Sequence, residues 1–201
     1  MGIEMSSGAR KRIVVLASGE GSVAQSLFDA VAPEDGLLHQ RIEIERVVTE
    51  NPEAGILRRA NKAGLKTSII EFRPGVERGA WERELHRTVS DVNPWLVVSA
   101  GFMKILAPTF VNEFQTINTH PSLLPLFPGA HAVRDALAAG ALESGCTLHF
   151  VDEGVDTGPI IAQRKLQVRP GESERELHSR IKELERELII TGILQLLERE
   201  Q

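Results

Sequence analysis

Short runs of β-branched and other apolar residues alternate along this chain with longer segments in which apolar residues recur at helical spacing. Four runs lie in the first half of the chain, at residues 12–17, 41–49, 67–71 and 94–100. Such alternation predicts strands joined through helices, and hence an α/β fold with a mostly parallel central sheet and helices on both faces. At 201 residues the chain fits a single domain. We expect this domain to span residues 12–201, after a flexible N-terminal tail over residues 1–11.

Helical spacing is clearest in the segment that ends the chain, from Ser173 to residue 199. Ser173 with Glu176 three residues later predicts a capping box at the start of this helix. The apolar stripe that it would bury consists of Leu177, Ile181, Leu184 and Leu188. Other helices are expected at residues 22–32, at residues 77–92 and from Pro52 onward.

Prolines and loops become frequent after Gly101. They separate three further predicted strands, at residues 116–119, 145–151 and 160–168. Loops at strand ends commonly carry functional side chains. We therefore expect the chemistry of this protein to concentrate in the second half of the chain.

The overall composition excludes several classes of function. The net charge is −5, whereas binding of nucleic acids or anionic membranes needs a concentrated basic surface. Cys146, the single cysteine, has no partner for an internal disulfide or a zinc site.

No apolar run reaches the roughly 18 to 20 residues of a membrane helix, and the N-terminus does not resemble a secretory signal. A short match to a myristoylation pattern at Met1, Gly2 and Ser6 carries little weight, and we expect a cytoplasmic protein.

A glycine-rich turn, Ser18-Gly19-Glu20-Gly21-Ser22, follows the first predicted strand and opens a helix. Free backbone N–H groups and the positive end of the helix dipole attract a phosphate at such a place. The spacing of Gly19, Gly21 and Ala24 also resembles a dinucleotide fingerprint, although Glu50, as the acidic ribose partner, lies about 30 rather than about 20 residues further on. Phosphate binding is favoured, while dinucleotide binding and a tight turn without a ligand stay open.

Asn118 and His120 lie two residues apart at the end of a predicted strand, so both side chains point to one side. The amide of Asn118 could donate to a developing oxyanion while His120 moves protons near neutral pH, a pairing that suits acyl transfer. Pro121 ends the strand and is expected to leave His120 exposed at its tip. Without further context, a turn-capping Asn118 and a surface His120 remain the plainer alternative.

An acidic, glycine-broken loop over residues 152–159 separates two predicted strands. Such loops are usually solvated turns, but Asp156 would supply an orienting carboxylate if it met His120 in space. The other histidines show no metal-ligand spacing, and neither an H-E-x-x-H helix nor a G-x-S-x-G nucleophile elbow occurs. We therefore expect direct group transfer, with no metal and no covalent enzyme intermediate.

Three separated segments resemble, in the same order, those of the folate-dependent formyltransferases. The most specific is Ile117-Asn118-Thr119-His120-Pro121-Ser122-Leu123-Leu124-Pro125, and residues 100–106 and 149–159 flank it. The turn at residues 18–22 and the Pro128-Gly129 pair resemble the branch that acts on glycinamide ribonucleotide. The methionyl-tRNA branch carries an extra C-terminal domain for which this chain has no room. The resemblance covers about residues 12–197 and implies a Rossmann-like fold and a cis bond between Leu124 and Pro125.

The resemblance further implies transfer of the formyl group of 10-formyltetrahydrofolate, a co-substrate, to the amine of glycinamide ribonucleotide in purine biosynthesis, without a tightly bound cofactor. Asn118, His120 and Asp156 match the catalytic residues of the family, and His131 is a candidate for a supporting role beside them. The residues that match the phosphate turn are Gly19, Glu20, Gly21, Ser22 and Val23. Ribose contacts match Lys182 and Glu185, which would otherwise be a solvated helix pair.

The folate cleft is matched by a mostly apolar set that composition alone would assign to the core. Its members are Arg78, Met103, Lys104, Ile105, Leu106, Val111 and Asn118. Either basic residue, Arg78 or Lys104, could meet the folate glutamate tail.

Two departures from the family pattern affect these expectations. Position 23 is Val where the family often has Asn, so the phosphate turn must depend on backbone N–H groups and Ser22. The sequence stops at Gln201, where many relatives continue into a short β segment, which leaves a homodimer in doubt. Alternative functions are a 10-formyltetrahydrofolate hydrolase, a sugar-nucleotide formyltransferase, a nicotinamide-dependent oxidoreductase and a non-catalytic folate- or nucleotide-binding module.

Overall fold

The computed structural model describes residues 9–199, which form a seven-stranded sheet with helices on both faces. The strands are β1 (Lys11–Leu16), β2 (Ile42–Thr49), β3 (Thr67–Ile69), β4 (Leu96–Ser99), β5 (Thr116–His120), β6 (Glu143–Phe150) and β7 (Ile160–Gln167). Their order across the sheet is β3-β2-β1-β4-β5-β6-β7. The first five run parallel, β6 pairs antiparallel with β5, and β7 pairs antiparallel with β6. The predicted α/β class and mostly parallel sheet are confirmed.

The parallel strands end at one edge of the sheet, where the loops that follow them meet. The backbone N–H of Ser18, which follows β1, donates to the carbonyl of Gly101, which follows β4, at 3.1 Å. Ser99 at the end of β4 lies beside Asn118 of β5 in the register. The two sequence regions that were expected to bind ligands therefore share this carboxyl edge.

Helices cover the sheet in two layers with separate cores. The helices are α1 (Ser22–Val31), α2 (Gly55–Lys62), α3 (Arg78–Ser90), α4 (Pro108–Glu113), α5 (Ala132–Ala138) and α6 (Glu174–Glu198). Alternating side chains of β1 divide between the layers, as strand geometry requires. Ile13 and Val15 join the core that contains residues of α1 and α6, whereas Val14 and Leu16 join the core that contains residues of α3 and α4.

The long helix α6 begins and packs as its sequence predicts. Ser173 and Glu176 form the reciprocal hydrogen bonds of a capping box. The stripe faces the first core, with Leu177, Ile181 and Leu188 fully buried and Leu184 partly buried. Farther along, α6 comes very close to β6. A Cβ at Gly192 would lie 2.0 Å from Cδ2 of Leu148, so a side chain at this position fits only if Leu148 or the helix shifts.

The differences from the sequence-based expectations are local. The sequence pattern does not predict α4 and α5, which have only 6 and 7 residues and show no helical repeat. The helix expected from Pro52 begins at Gly55 instead, because Asn51 Oδ1 accepts the N–H of Glu53 and holds the preceding residues in a turn. β1 begins at Lys11, one residue earlier than expected.

The N-terminal expectations are only partly covered by the structure. The myristoylation match at Met1, Gly2 and Ser6 lies outside the described residues, as does most of the predicted tail. Within the described part of the chain, no helix is long and apolar enough to cross a bilayer. Cys146 is buried, and burial raises the pKa of its thiol to about 12.

We expect Ser173→Ala to destabilise the protein by about 1 kcal/mol, because the capping hydroxyl satisfies a backbone N–H that the helix leaves free. A change of that size lowers the Tm of a chain of this length by roughly 2–4 °C, which thermal denaturation can measure. The control is Ser179→Ala, an exposed serine inside the same helix. Equal melting temperatures for both variants would contradict a stabilising role for the capping box.

Candidate functional site

Asn118, His120 and Asp156 converge at the end of β5. Nδ1 of His120 lies 3.3 Å from Oδ2 of Asp156, a contact that joins β5 to the loop between β6 and β7. The same Oδ2 accepts the backbone N–H of Gly129 at 2.8 Å. Asp156 has a φ of 55°, in the left-handed region that a side chain seldom adopts. The backbone is thus held in a sparsely populated conformation at the point where the carboxylate meets the imidazole.

The expectation that His120 lies exposed at the strand tip is wrong. Its exposed fraction is 5%, because the loop that follows β5 folds back over it. Nε2 of His120 lies 2.9 Å from the carbonyl oxygen of Phe127 in that loop. Both ring nitrogens therefore face an acceptor, and an imidazolium with a proton on each nitrogen satisfies both of them. The same loop contains the predicted cis bond between Leu124 and Pro125, which is confirmed.

His149 of β6 is a further member of this cluster that the sequence did not single out. Its Nε2 lies 3.3 Å from Nδ2 of Asn118 and 3.7 Å from Oδ1 of Asp156. The pKa of His149 is lowered, because burial disfavours the charged ring. The hydrogen bond to the Phe150 carbonyl and the charge of Asp156 act in the opposite direction but are outweighed. The neutral ring has its proton on Nδ1, which lies 2.8 Å from that carbonyl, so Nε2 is free to accept from Asn118.

The signal for His149 is present in the sequence but depends on strand register. His149 belongs to a segment that resembles the family, and β6 pairs antiparallel with β5 so that His149 lies opposite Asn118. On the other side of β5, Oγ of Ser99 donates to Oδ1 of Asn118 at 2.9 Å. Ser99 and His149 thereby fix the orientation of the amide, and one of its two N–H bonds stays unused by them.

The glycine-rich turn lies at the start of α1, and Gly21 is its N-cap with a φ of 69°. A Cβ at Gly21 would lie 2.4 Å from Cδ1 of Ile56, so both conformation and space require glycine. No side chain caps the helix, and Val23 is buried in the first core. The turn therefore offers backbone N–H groups and the half-buried Ser22, but no side chain at position 23. Glu20 points outward and lies 3.6 Å from Arg58.

Lys182 and Glu185 lie on the face of α6 near the carboxyl edge. Glu185 is 5% exposed, and burial raises its pKa to about 7. A hydrogen bond to Thr119 of β5 and the charges of Lys182 and Arg186 lower the pKa, but by less than burial raises it. It is thus no solvated surface group. Lys182 lines an open groove of about 530 Å³ together with Glu174, Arg175, His178 and Ser179.

The residues matched to the folate cleft divide into an exposed and a buried group. Met103 and Ile105 are 69% and 63% exposed, which is unusual for large apolar side chains and leaves a surface that a flat ligand can cover. Leu106 is buried in the second core, and Val111 packs against that core. The two exposed side chains therefore form the open part of the surface matched to the folate cleft, and residues 103–105 are here named the folate wall.

The two basic residues considered for the folate tail already have carboxylate partners. Nε of Arg78 donates to Oε1 of Glu82 at 2.6 Å, and its Nη2 donates to the carbonyl of Ile105. Nζ of Lys104 lies 3.8 Å from Oε1 of Glu50. His131 lies at the N-cap of α5 with an exposed side chain, so its supporting role stays a prediction. Among residues 9–199, no three His, Cys, Asp or Glu side chains are placed to hold a metal ion.

A mostly parallel sheet that presents an amide and a histidine at the end of β5, beside a carboxylate from the loop between β6 and β7, has the groups that acyl transfer requires. The sequence matches the formyl transferase family over residues 11–193, and the chain belongs to that family.

Several individual members of this family that are similar to the chain have the same named activity. The chain is 43% identical over 190 residues to the phosphoribosylglycinamide formyltransferase of Mycobacterium tuberculosis H37Rv, covering 94% of this chain and 86% of the relative. It is 39% identical to the enzyme of that name from Escherichia coli K12, covering 84% of this chain and 79% of the relative. The crystal structure of glycinamide ribonucleotide transformylase 1 from Symbiobacterium toebii superposes with a TM-score of 0.87, 34% identity and coverage of 95% and 89%.

The raised pKa of Glu185 makes a prediction about stability. Between the unfolded value near 4.5 and the folded value of about 7, the folded state binds the proton more tightly, so Glu185 costs stability as the pH rises through that range. We expect Glu185→Gln to be more stable than the parent at pH 8, by up to roughly 3 kcal/mol, and to lose this advantage at pH 5. Thermal denaturation at pH 5 to 8 measures the difference.

The control for this prediction is Glu187→Gln, an exposed residue of the same helix. It should leave the pH dependence of the parent protein unchanged. If Glu185→Gln and the parent show the same dependence of Tm on pH, Glu185 does not titrate in this range.

Proposed function

We propose that this protein transfers the formyl group of 10-formyltetrahydrofolate to the amine of glycinamide ribonucleotide, a step of purine biosynthesis. The observation that carries the proposal is the meeting of Asn118, His120 and Asp156 at the end of β5, in a chain of this family. The named relatives share both the acceptor and the fold. The reaction needs no tightly bound cofactor, since the folate itself brings the carbon unit.

The proposed reaction is a direct attack. The neutral amine forms a C–N bond to the formyl carbon, and the carbonyl electrons move to oxygen. The free N–H of the Asn118 amide stabilises this oxyanion, and the imidazolium of His120 joins it when its Nε2 leaves the carbonyl of Phe127. Collapse of the adduct breaks the bond to the folate nitrogen, while the proton lost by the amine reaches that nitrogen. Asp156 holds His120 at Nδ1 and orients its ring for this proton transfer.

The ribonucleotide is proposed to bind between the start of α1 and the face of α6. Its phosphate would accept backbone N–H groups of the turn formed by residues 19–23, at the positive end of the α1 dipole. The Ser22 hydroxyl is the side chain that remains available there, since Val23 is buried. Glu185 and Lys182 would contact the ribose, and a carboxyl with a pKa of about 7 can either donate to or accept from a hydroxyl.

The folate is proposed to lie over the exposed side chains of Met103 and Ile105, with Leu106 and Val111 supporting them from the core. Arg78 and Lys104 lie at this wall and would meet an anionic tail only by sharing or leaving their present carboxylate partners. A cytoplasmic location and a homodimer stay predictions.

Two alternatives keep the chemistry and change the acceptor to water or to an amino sugar. The glycine-rich turn, which offers a place for a phosphate, favours the ribonucleotide over water. A sugar nucleotide also carries phosphate, and the named relatives favour the ribonucleotide over it. A nicotinamide-binding site would need a free carboxylate after β2, but Glu50 is buried and paired with Ser18 and Lys104. A non-catalytic binding module would leave the arrangement of His120 and Asp156 without a use.

The direct test is an assay of formyl transfer with purified protein, 10-formyltetrahydrofolate and glycinamide ribonucleotide. We expect turnover that depends on the ribonucleotide, with no comparable turnover in its absence or with an amino-sugar nucleotide. Folate turnover at the same rate without the ribonucleotide would identify a hydrolase. Enhanced NADH fluorescence would support an oxidoreductase, and tight folate binding without any turnover would support a binding module.

We expect the three polar residues to act as a unit. His120→Ala should lower kcat by about 10²- to 10⁴-fold, as loss of a general acid–base does, with little change in folate affinity. Asn118→Ala should lower kcat by about 10²- to 10³-fold through loss of an oxyanion donor. The double variant of His120 and Asp156 should be far less impaired than the product of the two single losses. Steady-state and single-turnover kinetics measure these effects.

The control for the His120 variant is His39→Ala. His39 precedes β2 and so lies at the amino edge of the sheet, opposite the carboxyl edge that holds His120. It should retain near-normal kcat. Multiplicative losses in the double variant, or near-normal kcat in His120→Ala, would refute His120 as a proton carrier held by Asp156.

A further inference from the structure

Glu50 is a buried carboxylate that the proposed chemistry does not use. It directly follows β2 and has an exposed fraction of 6%. Burying a carboxylate costs free energy unless hydrogen bonds and charges compensate it. Its Oε2 accepts the hydroxyl of Ser18 at 2.9 Å, and its Oε1 lies 3.8 Å from Nζ of Lys104. The carboxylate thus joins a residue of the glycine-rich turn to a residue of the folate wall.

Ser18 extends this contact into the backbone of the folate wall. Its Oγ accepts the N–H of Met103 at 2.7 Å, and its own N–H donates to the carbonyl of Gly101 at 3.1 Å. Because the Ser18 hydroxyl donates its proton to Glu50, its oxygen is held in one orientation and accepts from Met103 in a fixed direction. The next residue, Gly19, accepts the N–H of Ile56 at 3.1 Å, which anchors the turn to α2.

Lys104 and Arg78 both lie close to the ring of Phe72. The ammonium of Lys104 lies 5.4 Å from the centroid of the Phe72 ring, and the guanidinium of Arg78 lies 5.5 Å from it. The backbone N–H of Phe72 donates to the carbonyl of Glu50 at 3.2 Å. Glu50 therefore contacts the wall through its side chain and supports it again through its main chain.

We propose that Glu50 is a positioning residue that couples the two substrate sites, so that a phosphate bound at residues 19–23 raises the affinity of the wall at residues 103–105 for the folate. This inference rests on the proposed function. A ligand that orders the turn also orders Ser18, and through Ser18 and Glu50 it orders Met103 and Lys104. The second ligand then loses less conformational entropy on binding, and by thermodynamic linkage the effect is reciprocal.

The experiment is a thermodynamic cycle measured by isothermal titration calorimetry. The Kd of tetrahydrofolate, which lacks the formyl group and so cannot react, is measured with and without saturating glycinamide ribonucleotide. In the parent protein we expect the ribonucleotide to lower this Kd by about fivefold or more. Glu50→Gln keeps the shape of the side chain but places an amide before Lys104. In this variant the coupling ratio, defined as the Kd of tetrahydrofolate without the ribonucleotide divided by the Kd with it, should fall to within twofold of unity.

Ser18→Ala removes the hydroxyl that links Glu50 to Met103 and should abolish the coupling in the same way, which keeps the proposal testable if Glu50→Gln does not fold. The matched control is Glu53→Gln, an exposed glutamate three residues further along, which should keep the parent ratio. Loss of a residue that only supports folding would change the Kd of tetrahydrofolate by the same factor with and without the ribonucleotide, and the ratio of these two Kd values would stay as in the parent.

The outcomes separate this inference from the proposed function. A parent protein that transfers formyl groups but shows no coupling, or variants of Glu50 and Ser18 that keep the parent ratio, would overturn the coupling alone. A parent protein without transfer to glycinamide ribonucleotide would overturn the proposed function and this inference together.

Discussion

The candidate site depends on a row of hydrogen-bonded side chains that crosses three strands. Ser99, Asn118 and His149 occupy matching register positions on β4, β5 and β6. The hydroxyl donates to the oxygen of the Asn118 amide and the neutral imidazole accepts from its nitrogen, so the amide has one orientation. Parallel pairing on one side of β5 and antiparallel pairing on the other make this row possible. The chain that leaves β6 then brings Asp156 to His120 a few residues later.

The sequence predicts those parts of the fold whose causes are local. Strands and long helices follow from alternating and helical periodicity, and the capping box follows from two residues of one segment. The burial of His120 and the role of His149 could not be predicted this way. The first depends on a loop that folds back to Phe127, and the second on which strands pair and in what register. Resemblance to a family identified Asn118, His120 and Asp156 together, although no spacing rule links the last to the others.

Polar groups that are costly to bury gather at the carboxyl edge of the sheet. His120, His149, Glu50 and Glu185 all have exposed fractions of 6% or less. Positive φ angles occur at Asp156 and at Phe127, beside the same cluster. Each of these features lowers stability by itself, and the two apolar cores on either side of the sheet supply the compensating free energy. The fold can place these groups together at this edge because its stability resides in the two cores.

The close approach of α6 to β6 at Gly192 limits how this protein can change during evolution. Gly192 and Glu185 are seven residues apart, about two helical turns or 10 Å along one face. Any larger side chain at position 192 would meet Leu148, so that either the Leu148 side chain or the helix must shift. A shift of the helix would weaken the hydrogen bond between Glu185 and Thr119 of β5. If Glu185 has the role proposed for it, selection on this carboxyl is expected to preserve a glycine seven residues away on the same helix.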